Sequence, residues 1–212
     1  SSRSTKLIHG GIRYLENLEF DLVYESLKER ALQLQVASHL VKPLPFVIPV
    51  YQGDRRPLWM MKFGVFLYDL IAGSDKIQKH KGLSAQEVLA MEPGIQKEGL
   101  TGGVIYYDAQ MDDARLCLEN VLMADAYGAH VANYVKVLSF IKENNRVVGV
   151  RARDLLMGKH FDVRAKKIVC AVGPWTNELL RLDAHQAKKK VRTTKGIHIV
   201  YKGQVSSHAL LI

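Results

Sequence analysis

Apolar residues recur every three or four positions between residues 19 and 34, which predicts an amphipathic helix. The stripe consists of Phe20, Val23, Leu27, Ala31 and Leu34. Residues 58–72 are apolar almost throughout and predict a second helix. This helix is either buried in a core or, as a less favoured alternative, laid on a membrane surface. It is too short to span a bilayer, because a span needs about 20 apolar residues.

The stretch between the two helices predicts extended chain. Residues 41–51 contain three prolines, which exclude a helix interior, and residues 46–51 predict a strand that Pro49 confines to a sheet edge or a bulge. Farther on, Ser84 and Glu87 have the spacing of a capping box, so a short helix is expected to begin there and to stop at Pro93. Residues 100–108 predict another strand that begins at a pair of glycines.

The second half of the chain starts with a predicted long helix, after which apolar and polar residues alternate with a period of two. Acidic residues from Asp112 open the helix and Gly128 follows its end. The predicted elements after it are strands at 131–140, 146–155 and 160–164, a buried parallel strand at 167–173, a helix at 176–182 and a strand at 191–201. A buried strand that closes on glycine is typical of a ligand-binding turn in an α/β fold.

Composition and charge narrow the function classes. The chain has 212 residues, 48% hydrophobic and 24% charged, which is typical of a folded globular protein. A net charge of +9 fits nucleic acid, an anionic membrane surface or anionic small molecules. The basic run 188–192 contains no aromatic residue, which disfavours stacking on bases. The two cysteines, Cys117 and Cys170, exclude a disulfide framework, indicate a reducing compartment and are expected to be buried.

The first sixteen residues combine small hydroxyl side chains, cations, a histidine and the pair Gly10-Gly11. Hydroxyls and backbone N–H groups beside a glycine turn suit a phosphate-bearing ligand. A solvated tail is the alternative, but regularly placed apolar residues argue against it. An ordered anion site is therefore the favoured interpretation.

The run Arg3-Ser-Thr-Lys-Leu-Ile-His-Gly-Gly-Ile-Arg-Tyr-Leu resembles a signature of FAD-dependent glycerol-3-phosphate dehydrogenases, nearer the mitochondrial type than the common bacterial one. Residues 44–51, 68–74, 106–115 and 161–166 also resemble segments of that family. The resemblance implies an α/β fold: a partial FAD/NAD(P)-binding, Rossmann-like domain of the D-amino-acid-oxidase type with an inserted α+β substrate domain.

The same resemblance implies a division of the chain and an expectation about its completeness. The FAD-binding domain would comprise residues 1–39 and 112–182, and the substrate domain residues 40–111 and 183–212. The Gly-rich FAD fingerprint and the C-terminal part of the family are not present in the sequence, so the chain is expected to be an internal fragment that is inactive by itself.

The resemblance also assigns site residues. Those implied for FAD are Ser1, Ser2, Lys6, Leu7, Val137, Ala171, Val172 and Gly173, with only a backbone role at Val172, where the family has threonine. Arg13 and Tyr14 match residues that bind the substrate phosphate and polyol, and a guanidinium fork suits phosphate. His198 matches a histidine near the substrate that would bind the hydroxyl or act as base, so Arg13 and His198 are the catalytic candidates. Their alternatives are a surface cation and an ordinary strand histidine, and His9 is expected to be structural.

The implied activity is oxidation of sn-glycerol 3-phosphate to dihydroxyacetone phosphate with FAD as cofactor and quinone as electron acceptor. Oxygen is the alternative acceptor, and a basic module that binds a membrane or nucleic acid without catalysis is the alternative of another class. The implied partners are glycerol 3-phosphate, a quinone and a mitochondrial inner or bacterial cytoplasmic membrane, with a homodimer as a possibility and no nucleic acid.

No metal site is expected. Asp108, Asp112 and Asp113 are read as cap and dipole partners of a helix, because no histidine stands near them at ligand spacing.

Overall fold

A computed structural model describes residues 4–184 and 187–212. Two compact units are present: one extends to Leu122 and includes His198–Ile212, and the other is Met123–Ile197. This division by compactness assigns no ligand to either unit, so the division into FAD and substrate domains stays a prediction.

The helices and strands follow the predicted order over most of the chain. The helices are α1 Phe20–Val36, α2 Leu58–Ala72, α3 Ala85–Met91, α4 Asp113–Ala126 and α5 Thr176–Asp183. The strands are β1 Leu7–Ile8, β2 Val41–Tyr51, β3 Lys81–Ser84, β4 Leu100–Met111, β5 Val135–Glu143, β6 Arg146–Asp154, β7 His160–Arg164 and β8 Ala209–Leu210. All the predicted helices are confirmed.

Strand β4 is the centre of the first unit. It pairs antiparallel with β2 along its whole length on one side, and with β1 and β3 on the other. Helices α1 and α2 contribute Val23, Leu27, Val65 and Tyr68 to a core that also contains Phe46 and Tyr106 of the sheet. A second cluster is formed by residues of the sheet and of α3, namely Val47, Leu83, Val88 and Ile105. The sheet is therefore covered by apolar side chains on both faces.

The prolines of β2 are tolerated because they occupy alternate positions, so that their nitrogens all lie on the same side of the strand. Val47 directs its carbonyl outward to Leu211 N at 3.2 Å, and Pro43, Pro45 and Pro49 share its parity along the strand. Their nitrogens therefore face away from β4, on the side where β8 pairs at only Phe46 and Val47. No ladder bond to β4 is lost, in agreement with the restriction expected for Pro49.

Helix α3 opens with the predicted capping box. Ser84 Oγ accepts a bond from Glu87 N at 3.3 Å, and Glu87 Oε2 accepts one from Ser84 N at 2.8 Å. The ammonium of Lys81 and the Ser84 donors lower the pKa of Glu87 to about 2.

The second unit contains the predicted meander. Strands β5, β6 and β7 pair antiparallel in that order, and Asn144 and Asn145 form the first turn with φ angles of 49° and 61°. Asparagine tolerates this left-handed region better than most residues do.

Two predicted strands are wrong. Residues 167–173 and 191–201 form no strand, and Val169, Ile199 and Val200 are 88%, 90% and 95% exposed. Neither segment has a neighbouring strand within the described residues, and an apolar run becomes a buried strand only when such a partner completes its ladder. The prediction that Cys117 and Cys170 are buried is also wrong, because both are exposed.

Candidate functional site

A turn at Gly10 and Gly11 places Arg13 and Tyr14. The turn follows β1, and Gly11 has a φ of 75°, a conformation that suits glycine. A Cβ atom at Gly10 would collide with the Tyr68 hydroxyl and with Leu27, and one at Gly11 would collide with the Tyr14 ring. The backbone therefore lies directly against these side chains and leads into a short 3₁₀ helix, Ile12–Asn17, that carries Arg13 and Tyr14.

A buried carboxylate beneath the turn fixes its backbone. Asp108, near the end of β4, is 1% exposed. Its Oδ1 accepts bonds from Gly10 N at 3.0 Å, Tyr68 OH at 2.7 Å and Arg30 Nη1 at 2.7 Å. Arg30 is equally buried and donates also to the Tyr107 carbonyl at 2.9 Å. The interpretation of Asp108 as a helix cap is therefore wrong, whereas Asp112 does cap α4 by accepting from Arg115 N at 3.1 Å.

Two phenols complete this buried cluster. The Tyr68 and Tyr106 rings meet edge to face with centroids 5.8 Å apart, and Phe46 stacks on Tyr106 at 5.3 Å. Burial, with the negative charge of Asp108, raises the pKa of both tyrosines well above the usual value. Both are therefore neutral hydrogen-bond donors at physiological pH.

A pocket of about 150 Å³ opens over this cluster. Its lining includes His9, Arg13, Tyr14, Phe46, Tyr106 and Asp108. The structure thus brings together Arg13 and Tyr14, the two residues predicted to bind the substrate phosphate and polyol. Arg13 also lines an adjoining pocket of about 370 Å³ together with Arg55, Arg56 and one acid, Asp54. Arg56 forms an ion pair with Glu16.

Lys6 and Leu7, which were predicted to contact FAD, lie in the same unit. Lys6 Nζ is bound to Asp113 Oδ1 at 2.6 Å, and Ser4 Oγ donates to Asp113 Oδ2 at 2.6 Å. These two donors, Lys6 first, lower the pKa of Asp113 to about 2. Because its charge is matched by Asp113, Lys6 fits an anionic cofactor poorly through its side chain. Leu7 lines the pocket of Arg13, and Ser1 and Ser2 lie outside the described residues.

The cofactor residues of the second unit offer backbone groups. Val137 lies on β5, which within the described residues has a strand neighbour on one side, and the pairing with β6 shifts register between Val137 and Ser139. The N–H groups of Ala171 and Val172 donate to none of the described residues, and Gly173 has a φ of 51°. Unpaired backbone groups fit the backbone contacts with FAD that were predicted here. The FAD assignments of all these residues stay predictions.

His198 is not placed at the pocket. It lies in an exposed segment without regular structure and is not among the residues that line the cavities around Arg13. Its predicted catalytic role stays a prediction.

Sequence reasoning missed Arg30 and Tyr68 and misread Asp108. The signal was present, because Arg30 falls in the apolar stripe of α1 with Val23 and Leu27, and Asp108 shares the core-facing parity of Tyr106. Two opposite charges, each on the buried face of its element, indicate a buried ion pair. Among the described residues no group of His, Cys, Asp or Glu is placed to hold a metal ion.

A family model described as FAD dependent oxidoreductase matches residues 1–211. The chain belongs to this family. It is 41% identical over 99% of its length to the mitochondrial glycerol-3-phosphate dehydrogenase of Macaca fascicularis, and 40% identical over 96% to the alpha-glycerophosphate oxidase of Streptococcus pyogenes. The chain spans 30% and 34% of the lengths of these relatives.

A solved structure agrees with these matches. The glycerol-3-phosphate dehydrogenase of Bacillus halodurans, complexed with FAD, superposes with a TM-score of 0.59 at 35% identity, over 85% of this chain and 28% of its own. The resemblance seen in the sequence, the FAD/NAD(P)-binding fold class and FAD as the cofactor of the family are thus confirmed.

Proposed function

We propose that this chain forms part of a FAD-dependent enzyme that oxidises sn-glycerol 3-phosphate to dihydroxyacetone phosphate. The observation that carries the proposal is the pocket in which Arg13 and Tyr14 converge above the buried Asp108. The names of both curated relatives contain glycerol 3-phosphate or glycerophosphate, which supports the same substrate class.

The residues of the pocket suit a small phosphorylated polyol. The Arg13 guanidinium is a planar fork of donors that matches two phosphate oxygens. Tyr14 and the neutral Tyr106 supply phenol groups beside it, and Phe46 supplies an apolar wall. When bound, FAD supplies the hydride acceptor for oxidation of the C2 hydroxyl. His198 remains our candidate for the group that takes the hydroxyl proton.

A direct test uses the protein expressed from its complete gene and loaded with FAD. Glycerol 3-phosphate should bleach the flavin absorbance in the absence of oxygen, whereas glycerol, which lacks the phosphate, should not do so at the same concentration. Bleaching by both compounds alike would contradict a phosphate site at Arg13. Salt-dependent binding to DNA without any flavin reduction would instead favour the basic binding module.

Quinone is the electron acceptor that we propose, with oxygen as the alternative that the name of the streptococcal relative suggests. Reoxidation of the reduced flavin separates them: a soluble quinone analogue should reoxidise it much faster than air-saturated buffer does. Faster reoxidation by air would identify an oxidase.

A quinone acceptor places the protein at a mitochondrial inner or bacterial cytoplasmic membrane, and the outer face of α2 supports this part of the proposal. Trp59, Phe63, Phe66 and Leu70 follow one another at helical spacing and are 68%, 59%, 51% and 64% exposed. Val65 and Tyr68 on the opposite face are buried, so the prediction of a buried helix holds for one face only. None of the described helices is long and apolar enough to cross a membrane.

Cations lie near this apolar face, with Lys62 on the helix itself and Arg55 and Arg56 just before it. An apolar face with neighbouring cations is the pattern of a helix that rests on an anionic bilayer. The fluorescence of Trp59, in a variant in which every other tryptophan of the protein is replaced by phenylalanine, should shift to the blue with vesicles that contain an anionic lipid and much less with neutral vesicles. No shift with either would indicate that another part of the protein covers the face.

A further inference from the structure

We infer that the buried network of Arg30, Asp108 and Tyr68 positions Arg13 and Tyr14 and so sets the affinity for the substrate phosphate. The inference rests on the proposed function for its substrate, and it assigns a role to three residues that do not themselves hold the phosphate.

The first step is the contact between Asp108 and the turn. Asp108 Oδ1 accepts a bond from Gly10 N at 3.0 Å, three residues before Arg13. Gly10 also lies against the Tyr68 hydroxyl so closely that no side chain fits there. The backbone is therefore held from two directions at one point, and a shift of either group moves the start of the 3₁₀ helix.

The second step is the way in which the network holds Asp108. Arg30 Nη1 donates to Asp108 Oδ1 at 2.7 Å and to the Tyr107 carbonyl at 2.9 Å, so it grips two successive residues of β4. Its Nη2 donates to the Asp75 carbonyl at 3.3 Å, just beyond α2. One guanidinium thus connects α1, β4 and the end of α2 beneath the turn.

The third step concerns stability, which does not by itself account for the network. Arg30 Nε is buried with no hydrogen-bond partner among the described residues. A buried ion pair with an unsatisfied donor is a poor stabilising device compared with apolar residues of similar volume. The network does fix the orientation of the Asp108 carboxylate, because three donors converge on one of its oxygens.

The fourth step connects the network with the pocket. Asp108 itself lines the pocket with Arg13 and Tyr14, and the Tyr14 ring packs back over Gly11. Tyr106 lines the same pocket as Asp108 and Arg13. A loosened turn would thus change the geometry of the group that meets the phosphate.

The test is a double-mutant cycle between Tyr68→Phe and Arg13→Lys in the flavin-loaded protein from the complete gene. Tyr68→Phe removes one hydrogen bond to a charged oxygen, so we expect KM for glycerol 3-phosphate to rise about 5- to 10-fold with kcat within about twofold. In the Arg13→Lys background the same change should raise KM less than about twofold, because the effects of substitutions in residues that act as a unit are not additive.

Asp69→Asn is the matched control. Asp69 is the neighbour of Tyr68 on α2 and binds His80 at 2.6 Å, but it does not line the pocket of Arg13. It should leave KM unchanged. A KM rise for Tyr68→Phe that is equal in both backgrounds, or an equal rise for Asp69→Asn, would overturn the inference and leave only a structural role.

Calorimetric titration with inorganic phosphate makes this test independent of turnover. We expect Tyr68→Phe to weaken phosphate binding by the same factor as it raises KM. If the unmodified protein binds phosphate but does not oxidise glycerol 3-phosphate, the proposed function fails while the positioning role is still measured. If Tyr68→Phe leaves phosphate affinity unchanged in a protein that oxidises glycerol 3-phosphate, the positioning role fails alone.

Discussion

The buried pair of Arg30 and Asp108 makes a prediction about stability that can be worked from the structure. Replacing Asp108 by Asn keeps the size and shape of the side chain but removes its charge. The Arg30 guanidinium, whose side chain is 1% exposed, would then remain in the core without a counter-ion. The hydrogen bonds from Gly10 N and Tyr68 OH would also meet a weaker acceptor.

The expected cost is large. Removing one member of a buried ion pair costs about 3–5 kcal/mol, mainly because the other charge is left uncompensated. For a chain of 150–250 residues, about 1 kcal/mol corresponds to a shift of roughly 2–4 °C in Tm. The Asp108→Asn variant should therefore unfold roughly 6–20 °C earlier. Replacing Arg30 by Met in the same chain should recover much of this loss, since it removes the orphaned charge.

Differential scanning calorimetry of the parent, Asp108→Asn, Asp108→Asn with Arg30→Met, and Asp69→Asn distinguishes the effects. Asp69 serves as control because its partner is His80 in a more exposed setting, with side chains 13% and 16% exposed. A Tm for Asp108→Asn within about 2 °C of the parent would refute the reasoning, because it would mean that less than about 1 kcal/mol depends on the charge. A double variant less stable than Asp108→Asn alone would refute the explanation by an orphaned cation.

Two further predictions concern the contact of Asp113 and the outer face of α2. The pKa of Asp113 is lowered to about 2 in the folded protein, so its contact with Lys6 and Ser4 stabilises the fold above about pH 4, and this stability is lost as the pH falls toward 2. Asp113→Asn should therefore flatten the pH dependence of Tm in that window. An unchanged slope would mean that this contact does not contribute to acid denaturation. On the outer face of α2, the double variant Phe63→Ser, Phe66→Ser should lose most of its binding to anionic vesicles in a cosedimentation assay. The control Leu122→Ser, at a 51% exposed position of α4, should keep this binding. Equal loss in both variants would argue against a membrane contact at α2.

The parts of the fold that local rules govern could be predicted from the sequence. The stripe on α1, the capping box of Ser84 and Glu87, and the period-two strands of the meander each depend on residues close together in the chain. Arg13 and Tyr14 could be assigned because a single short motif carries both, although their convergence on a pocket required the fold.

The parts that depend on distant partners could not be predicted. Arg30 and Asp108 are separated by 78 positions, and only the packing of α1 against β4 brings them together. The run 167–173 has the composition of a buried strand, but composition does not supply the neighbouring strand that would bury it. The ion pair of Lys6 with Asp113, 107 positions away, could not be predicted either, and the predicted contact of Lys6 with FAD stays a prediction.

The central claim is that Arg13 binds the phosphate of glycerol 3-phosphate, and the KM of an Arg13→Ala variant tests it most directly. Loss of hydrogen bonds between charged groups should raise KM about 10- to 100-fold, with the FAD content and the Tm close to those of the parent. Arg55→Ala, which removes an exposed cation of the neighbouring turn, is the matched control and should change KM by less than about threefold. An Arg13→Ala variant with an unchanged KM would contradict the account.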